Sequence, residues 1–520
     1  MINKDAANKT ITSKNDLPHK ADEGATPGKA DSNSQETSKA GKPDTGSIAT
    51  HRLQRSATIG LTATRVGLRH LGHMGRSKLA QKFAQKRAAL SEGTPSNAES
   101  QALARRLHEE DIGRTLFKAL NQLKGTALKA SQILSMEAEI LPEGIRKELA
   151  KACYQATPLN RALIDKVFRN EFGTGPGEIF ARFDKDAFAA ASLGQVHKAT
   201  LPGDEGQASN EGQAVAVKVQ YPGIAASIKS DVKVLSGLLS VVAASTSFMP
   251  ARSVIDPVLE EITLQLQREV DYYQEAENLS RFKSRLKLKQ VRIPAVFADY
   301  SSERVLTMED LAGQHLEEWL AGKPSQAEKN HYGQLLYDFF FHSFFDLNHL
   351  HADPHPGNFL FMAGGELGVL DFGCIREIDS SFTQKVAGYY QLMIRHHGPQ
   401  EQQGSSEQQD FAGLKRYYED FDLIRPDMDD RAFHEILQPE LDRIQHWMIA
   451  PYQKAEFDFT NWIWPEMTTD TTRKIAPYMK GINRDLLYFD RAYRGLGLML
   501  SRLGAVVKTG NPWHGHQASQ

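Results

Sequence analysis

Cysteine is almost missing from this chain: Cys153 and Cys374 are the only two in 520 residues. That excludes a disulfide framework and points to a reducing compartment. Cys374 is read as a small buried thiol rather than a reactive one. An excess of one charge is also missing, with 62 basic against 64 acidic residues and a net charge of -2. A globally nucleic-acid-binding surface is therefore not expected. No apolar run suits a membrane span. The nearest, Val232 to Met249, contains Lys233 and five Ser or Thr residues and ends at Pro250, so it reads as a buried helix. The first fifty residues have almost no large apolar side chains and read as a disordered tail. No apolar segment follows Met1, which argues against a secretory signal, and Asp5, Asp16, Asp22 and Glu23 argue against a transit peptide. The expected location is cytoplasmic, with peripheral contact at the inner membrane left open. No internal repeat is visible.

What is present centres on HADPHPGN (351–358) and GVLDFG (368–373). Asn358 lies five positions after Asp353, and Asp371 thirteen after Asn358, the spacing of a kinase catalytic loop and its DFG. Phosphoryl transfer is largely positioning and charge neutralisation. One carboxylate, Asp353, would face the acceptor, while the amide oxygen of Asn358 and the carboxylate of Asp371 would hold Mg²⁺ against the phosphates of ATP or ADP. Between them, FLFM, a GG turn and LGVL predict a hairpin with Asn358 at its start and Asp371 at its end. His349, His351 and His355 also invite a zinc reading. It is the weaker one, because the Asp and Asn spacing already explains the segment and no cysteine or fourth histidine accompanies them. His351 fits better as a structural hydrogen-bonding residue beneath the loop.

The expected architecture is α+β: a two-lobed protein-kinase-like fold with a helical N-terminal extension and a mostly helical C-lobe. After the tail (1–50), residues 51–100 comprise a basic amphipathic helix and linker. Positions 51–90 carry nine Lys or Arg and no acid, and this stretch either lies on an anionic membrane surface or packs on the body. Residues 101–177 read as a helical extension, 178–310 as the N-lobe, 311–505 as the C-lobe and 506–520 as a second tail. Within the N-lobe, FAAASLGQVHKATL and AVAVKVQYPG predict strands joined by a Gly-rich polar loop, and ERVLTMEDLAG a strand entering a turn. Val254 to Phe282 predicts one long acidic helix, and 331–351 an apolar helix ending at the catalytic loop. Trp462, Ile463 and Trp464 are expected in C-lobe packing.

Lys218 in VAVKV suits the phosphate-gripping lysine, because the alternation sets its side chain opposite a buried face. Its carboxylate partner is expected among Glu269, Asp271 and Glu275. The covering loop reads Ala189, Ala190, Ala191, Ser192, and alanine's Cβ denies this loop the backbone freedom of a glycine-rich one. Adenine recognition would fall to backbone groups from Met308 to Leu311. Ala352 stands where many protein kinases have an arginine, and no APE-like element follows Gly373. A phosphorylation-controlled activation segment and a peptide-docking platform are accordingly not expected.

From about 101 to 505 the chain resembles the UbiB or AarF-type atypical kinases, whose members support coenzyme Q biosynthesis. The likeness rests on Lys129-Ala130-Ser131-Gln132, the alanine-rich loop, Glu269-Val270-Asp271, VKVQYPGI, HADPHPGN, LDFG and GLGLMLSRLGA. Ser131 departs from the signature glycine. The resemblance implies that the helix bearing Lys129 and Gln132 crosses the pocket where a protein kinase takes its peptide. It also implies that Lys129 pairs with Glu269 and Lys218 with Glu275. Protein phosphorylation in trans then gives way to ATP binding and slow hydrolysis, coupled to an isoprenoid quinone lipid or a membrane-bound biosynthetic complex. Two other functions fit the loop: a small-molecule phosphotransferase of the aminoglycoside or choline kinase type, and a non-catalytic nucleotide-binding scaffold.

Overall fold

The computed structural model describes residues 161–191, 193–203, 212–245, 252–397, 407–465 and 483–514, with shorter stretches within 107–150 and 471–481. The tail (1–50), the basic segment (51–100), Ser131, Gln132, Cys153 and Ser192 lie outside these residues.

Helices α1 (Glu143–Ala150) and α2 (Arg161–Phe172) come before a five-stranded antiparallel sheet. Its first strands are β1 (Arg182–Phe183), β2 (Ala189–Ala191), β3 (Gly194–Thr200) and β4 (Ala214–Gln220). The alternation in β4 sorts its side chains. Val215, Val217 and Val219 are buried against Ile164, Val167 and Phe168 of α2, so Ala216 and Lys218 face the other way. The alanine-rich segment, read both as strand and as the covering loop, is a strand over Ala189–Ala191 paired with β3, Ala189 opposite Val196 and Ala191 opposite Gly194. Its small side chains satisfy a strand as readily as a turn, and the partner strand supplies the backbone hydrogen bonds.

Next come α3 (Ile224–Ser245), α4 (Arg252–Glu269) and α5 (Tyr272–Arg285). Within α3, Ile228, Leu235, Leu238, Leu239 and Val242 are buried, in keeping with a core helix. No described helix is long and apolar enough to cross a membrane. The pair α3 and α4 forms a core with Ile112, Leu116, Ile133, Leu134, Ile145 and Leu149 from the preceding helical stretches. The single helix expected over 254–282 is broken at Val270–Asp271. The Asp271 carboxylate accepts a hydrogen bond from Gln274 N at 3.0 Å and caps a new helix, with Asp271 itself outside helical geometry. Charge periodicity alone did not register that cap. Tyr272, Glu275, Leu279 and Phe282 then fall on one buried face of α5.

Strand β5 (Val291–Arg292) leads to β6 (Val305–Glu309), which pairs with β4, Lys218 opposite Leu306. Helix α6 (Gln326–Phe341) opens with a capping box between Ser325 and Glu328. It finishes in a π turn, His342–Asp346, rather than running into the catalytic loop. A short strand, β7 (His349–His351), intervenes. The expected hairpin is β8 (Phe359–Phe361) and β9 (Leu367–Val369), in antiparallel register with Leu360 opposite Gly368. Gly364 and Gly365 turn it at φ of 81° and 80°, a conformation that a Cβ disfavours. Strand β10 (Ile375–Glu377) returns to pair with β7, and α7 (Ser380–His397) begins at once.

Helices α8 (Glu407–Asp420) and α9 (Gln438–Ile449), strand β11 (Glu456–Asp458) and helix α10 (Arg484–Leu503) follow. Residues 506–514 are not a tail: β12 (Val506–Lys508) pairs with β11, and Trp513 is fully buried, stacked on Tyr390 at 3.8 Å. A short polar terminus hid that anchor. Trp462 packs as expected, stacked on Trp447 at 3.9 Å, and Trp464 packs against Arg494. Ile463 points to solvent instead, 73% exposed, because its two neighbours take the buried sides of the chain.

Candidate active site

Four elements bring charged groups together on the face of β4 opposite α2. Lys218 is buried by α5 and donates to both oxygens of Glu275, at 2.8 and 2.9 Å, and to Asp371 Oδ2 at 2.9 Å. The Tyr272 ring lies 5.4 Å from its ammonium. Of the three acids weighed as partners, Glu275 meets Lys218, Asp271 caps α5, and Glu269 lies 3.1 Å from Lys129.

The hairpin ends hold the loop residues. Asn358 donates its amide to the backbone oxygen and to Oδ2 of Asp353, both at 3.0 Å. With that nitrogen engaged, the amide oxygen is the atom left as a ligand. Asp371 Oδ1 accepts from Gly373 N at 3.0 Å, and its carbonyl meets His351 Nε2 at 2.7 Å. His351 thus sits beneath the loop as a structural residue. Among the described residues, His349, His351 and His355 do not meet as a metal-ligand set; His349 contacts Arg281 and His355 accepts from Gly357 N.

Electrostatics follow from burial and proximity. Burial opposes charge on Lys218, but Asp371 and Glu275 outweigh it and hold the ammonium well above its ordinary range. Burial likewise works to raise Asp371, yet Lys218 and the Gly373 N–H leave its carboxyl at about 2. Glu275, more deeply enclosed, is pushed up to about 7 by burial. Around Lys129, burial is overcome by Glu269, then Asp353 and Asp371, so this ammonium also stays charged. Asp353 is lowered overall: burial raises it, and Lys129 and Arg491 more than offset that.

Met308 lies in β6, and Leu311 follows it beside Gly368 of the hairpin. Ala189 to Ala191 form the edge strand described above.

Several residues escaped sequence reasoning. Gln220, two beyond Lys218, donates to Val270 O at 2.5 Å and ties β4 to the break between α4 and α5. Asn278, one turn beyond Glu275, donates to Phe372 O at 2.9 Å, and Phe372 is fully buried 4.9 Å from Phe282. The i,i+3 spacing from Glu275 was the available signal. Arg491 of α10 reaches the catalytic loop from far along the chain, and nothing local announces it.

Residues 151–397 match the ABC1 atypical kinase-like domain. The mitochondrial atypical kinase COQ8 of Saccharomyces cerevisiae is 32% identical over 282 residues, covering 54% of this chain and 53% of that protein. COQ8B of Danio rerio is 31% identical over 336 residues, covering 64% and 49%. An aarF domain-containing protein kinase of Arabidopsis thaliana is 32% identical over 259 residues, covering 50% and 35%. The chain spans about half the length or less of these curated relatives. The solved structure of Rv3197 with erythromycin, from Mycobacterium tuberculosis, is 24% identical with a TM-score of 0.53, covering 80% of this chain and 97% of that one, and shows the same fold. Domain match, relatives and fold agree with the motifs: residues 151–397 form an ABC1 atypical kinase-like domain, similar to those of COQ8 and aarF-domain kinases.

Proposed function

We propose that this protein binds Mg²⁺ and ATP between two lobes, one built on the five-stranded sheet and one on the helices after residue 311. It would hydrolyse the nucleotide slowly in support of ubiquinone or related isoprenoid-lipid metabolism. The observation that carries the reading is Lys218, buried and charged, bridging Glu275 and Asp371 across the sheet and the hairpin. Its ammonium is set to grip phosphate oxygens, with Glu275 orienting it. Asn358 and Asp371 offer hard oxygen ligands, the donor set Mg²⁺ prefers, and would hold the ion, which neutralises phosphate charge when bound. Asp353, kept ionised, would orient the acceptor oxygen. Backbone groups from Met308 to Leu311 would meet the adenine, and the Ala189–Ala191 strand, with Ser192 after it in the sequence, would cover the phosphates.

Lys129 is paired with Glu269 and near enough to act electrostatically on Asp353, and it would stand in the approach a peptide would need. That favours hydrolysis over protein phosphorylation in trans. Gln132 belongs to the same signature. Association with a quinone lipid or a membrane-bound complex, through peripheral contact of the basic 51–90 region, completes the proposal. A small-molecule phosphotransferase is the competing function.

Asp371→Asn tests the metal assignment: Mg²⁺-dependent nucleotide affinity should fall by about tenfold or more, and undiminished affinity would refute it. Anionic vesicles carrying a quinone head-group analogue should raise ATPase activity. No response, together with turnover on a soluble alcohol or amine, would favour the phosphotransferase.

A further inference from the structure

Well apart in sequence from the active-site residues, His397, Asp442 and His446 converge where the end of α7 meets α9. Asp442 spreads its carboxylate between two imidazoles: Oδ1 lies 3.6 Å from His397 Nδ1 and Oδ2 lies 3.2 Å from His446 Nδ1. The two rings approach to 4.2 Å between centroids. Ligand atoms bound tetrahedrally to zinc at about 2.1 Å lie about 3.4 Å apart, close to both spacings.

A second, independent feature aims one of these nitrogens outward. Gln445 donates its amide N–H to Tyr418 Oη at 2.8 Å and to Gln438 Oε1 at 3.3 Å, so its own oxygen is the acceptor. That oxygen takes a hydrogen bond from Gln438 at 2.6 Å and faces His397 Nε2 at 2.9 Å. Gln438, Gln445 and Tyr418 are all buried, which fixes the arrangement. His397 is thereby held with a proton on Nε2, and in the neutral ring its lone pair sits on Nδ1, pointing at Asp442. A lone pair facing a carboxylate is unfavourable without a cation between them. An N–H donating away to a buried amide is the outer contact that metal-bound histidines commonly make.

We propose that His397 Nδ1, the Asp442 carboxylate and His446 form a site for a divalent transition metal of the zinc class, clamping α7 to α9. Two imidazoles and one carboxylate leave a fourth position for solvent. His446 is half-exposed, so it can exchange its present 3.0 Å contact with the Asp442 carbonyl for the metal. The ion would tie the end of the helix that follows the DFG segment to the outer helical layer, stabilising the folded state by mass action.

The test uses full-length, tag-free protein stripped with chelator. Zn²⁺ binding is counted by equilibrium dialysis, and thermal unfolding is followed with and without Zn²⁺. Wild type should bind one equivalent more than Asp442→Asn or His446→Ala and should unfold at a higher temperature with Zn²⁺. Both surface variants should lose that increment while keeping wild-type Mg²⁺-nucleotide affinity. Co²⁺ substitution should give a visible d–d spectrum in wild type alone. Equal stoichiometry and equal thermal response in all three proteins would overturn the proposal, and so would no uptake at micromolar Zn²⁺.

Discussion

The guanidinium of Arg491 donates to the carbonyl oxygen of Ala352 from both Nε, at 3.2 Å, and Nη2, at 2.7 Å. Ala352 occupies the position where many protein kinases carry an arginine, and here a guanidinium reaches the same backbone from α10. It is buttressed by Tyr488 at 5.2 Å and by Gln265 of α4 at 3.2 Å. Arg491 also lowers the pKa of the adjacent Asp353. Replacing Arg491 with Met should cut ATPase turnover by about tenfold while changing nucleotide affinity less. Because a cation is removed, the Asp353 pKa should rise, and the acid limb of the pH–rate profile should move to higher pH. A profile that keeps its position while activity falls would reduce Arg491 to a packing role.

Lys218 neutralises two acids, so its loss leaves Glu275 and Asp371 facing each other without a cation. Urea unfolding of Lys218→Met should show a stability loss of roughly 3–5 kcal/mol. The double variant Lys218→Met, Glu275→Leu should recover part of it, since the more deeply buried orphan charge goes too. A double variant weaker than the single would show that Glu275 is held by groups other than Lys218.

Two glycines of α10 separate packing from function. A Cβ added at Gly495 would collide with Pro354, next to Asp353, and one at Gly497 would collide with Trp462. Overpacking of this kind costs about 1–3 kcal/mol. Gly495→Ala and Gly497→Ala should therefore both lower the melting temperature, but only the first should lower turnover out of proportion to the folded fraction. Equal effects on turnover would mean that the Pro354 contact does not set the loop.

Burial pushes the Cys374 thiol up to about 12. At pH 8 its thiolate fraction is then about 1 in 10,000, some thousandfold below that of a free cysteine. In a Cys153→Ser background, alkylation should be negligible in native protein and complete once denaturant is added. Rapid native labelling would contradict the enclosure.

The motif residues and the hairpin were legible because their chemistry is local in sequence. Asp353, Asn358 and Asp371 lie within nineteen positions, and the GG turn between apolar triplets leaves little choice of structure. Lys218 was legible through the valine alternation. The break at Asp271 was not, since capping by Asp271 competes with a helical pattern that runs through it. Nor was the burial of Trp513, whose partners Tyr390 and Tyr452 come from distant helices. Arg491 and Gln445 act across similar separations, where only the folded chain supplies the partner.

The interruption after Glu269 also assigns the two acid–lysine pairs to different bodies. Glu275 rides on α5 with the sheet, whereas Glu269 rides on α4, whose apolar face belongs to the separate core with α3. Val270 and Asp271 are the link between the two. Swinging that core outward would carry Glu269 and Lys129 together and strain the Gln265–Arg491 and Glu261–Arg484 ties, yet leave Lys218 and Glu275 clasped. Access to Asp353 would then change without dismantling the Lys218–Glu275 pair.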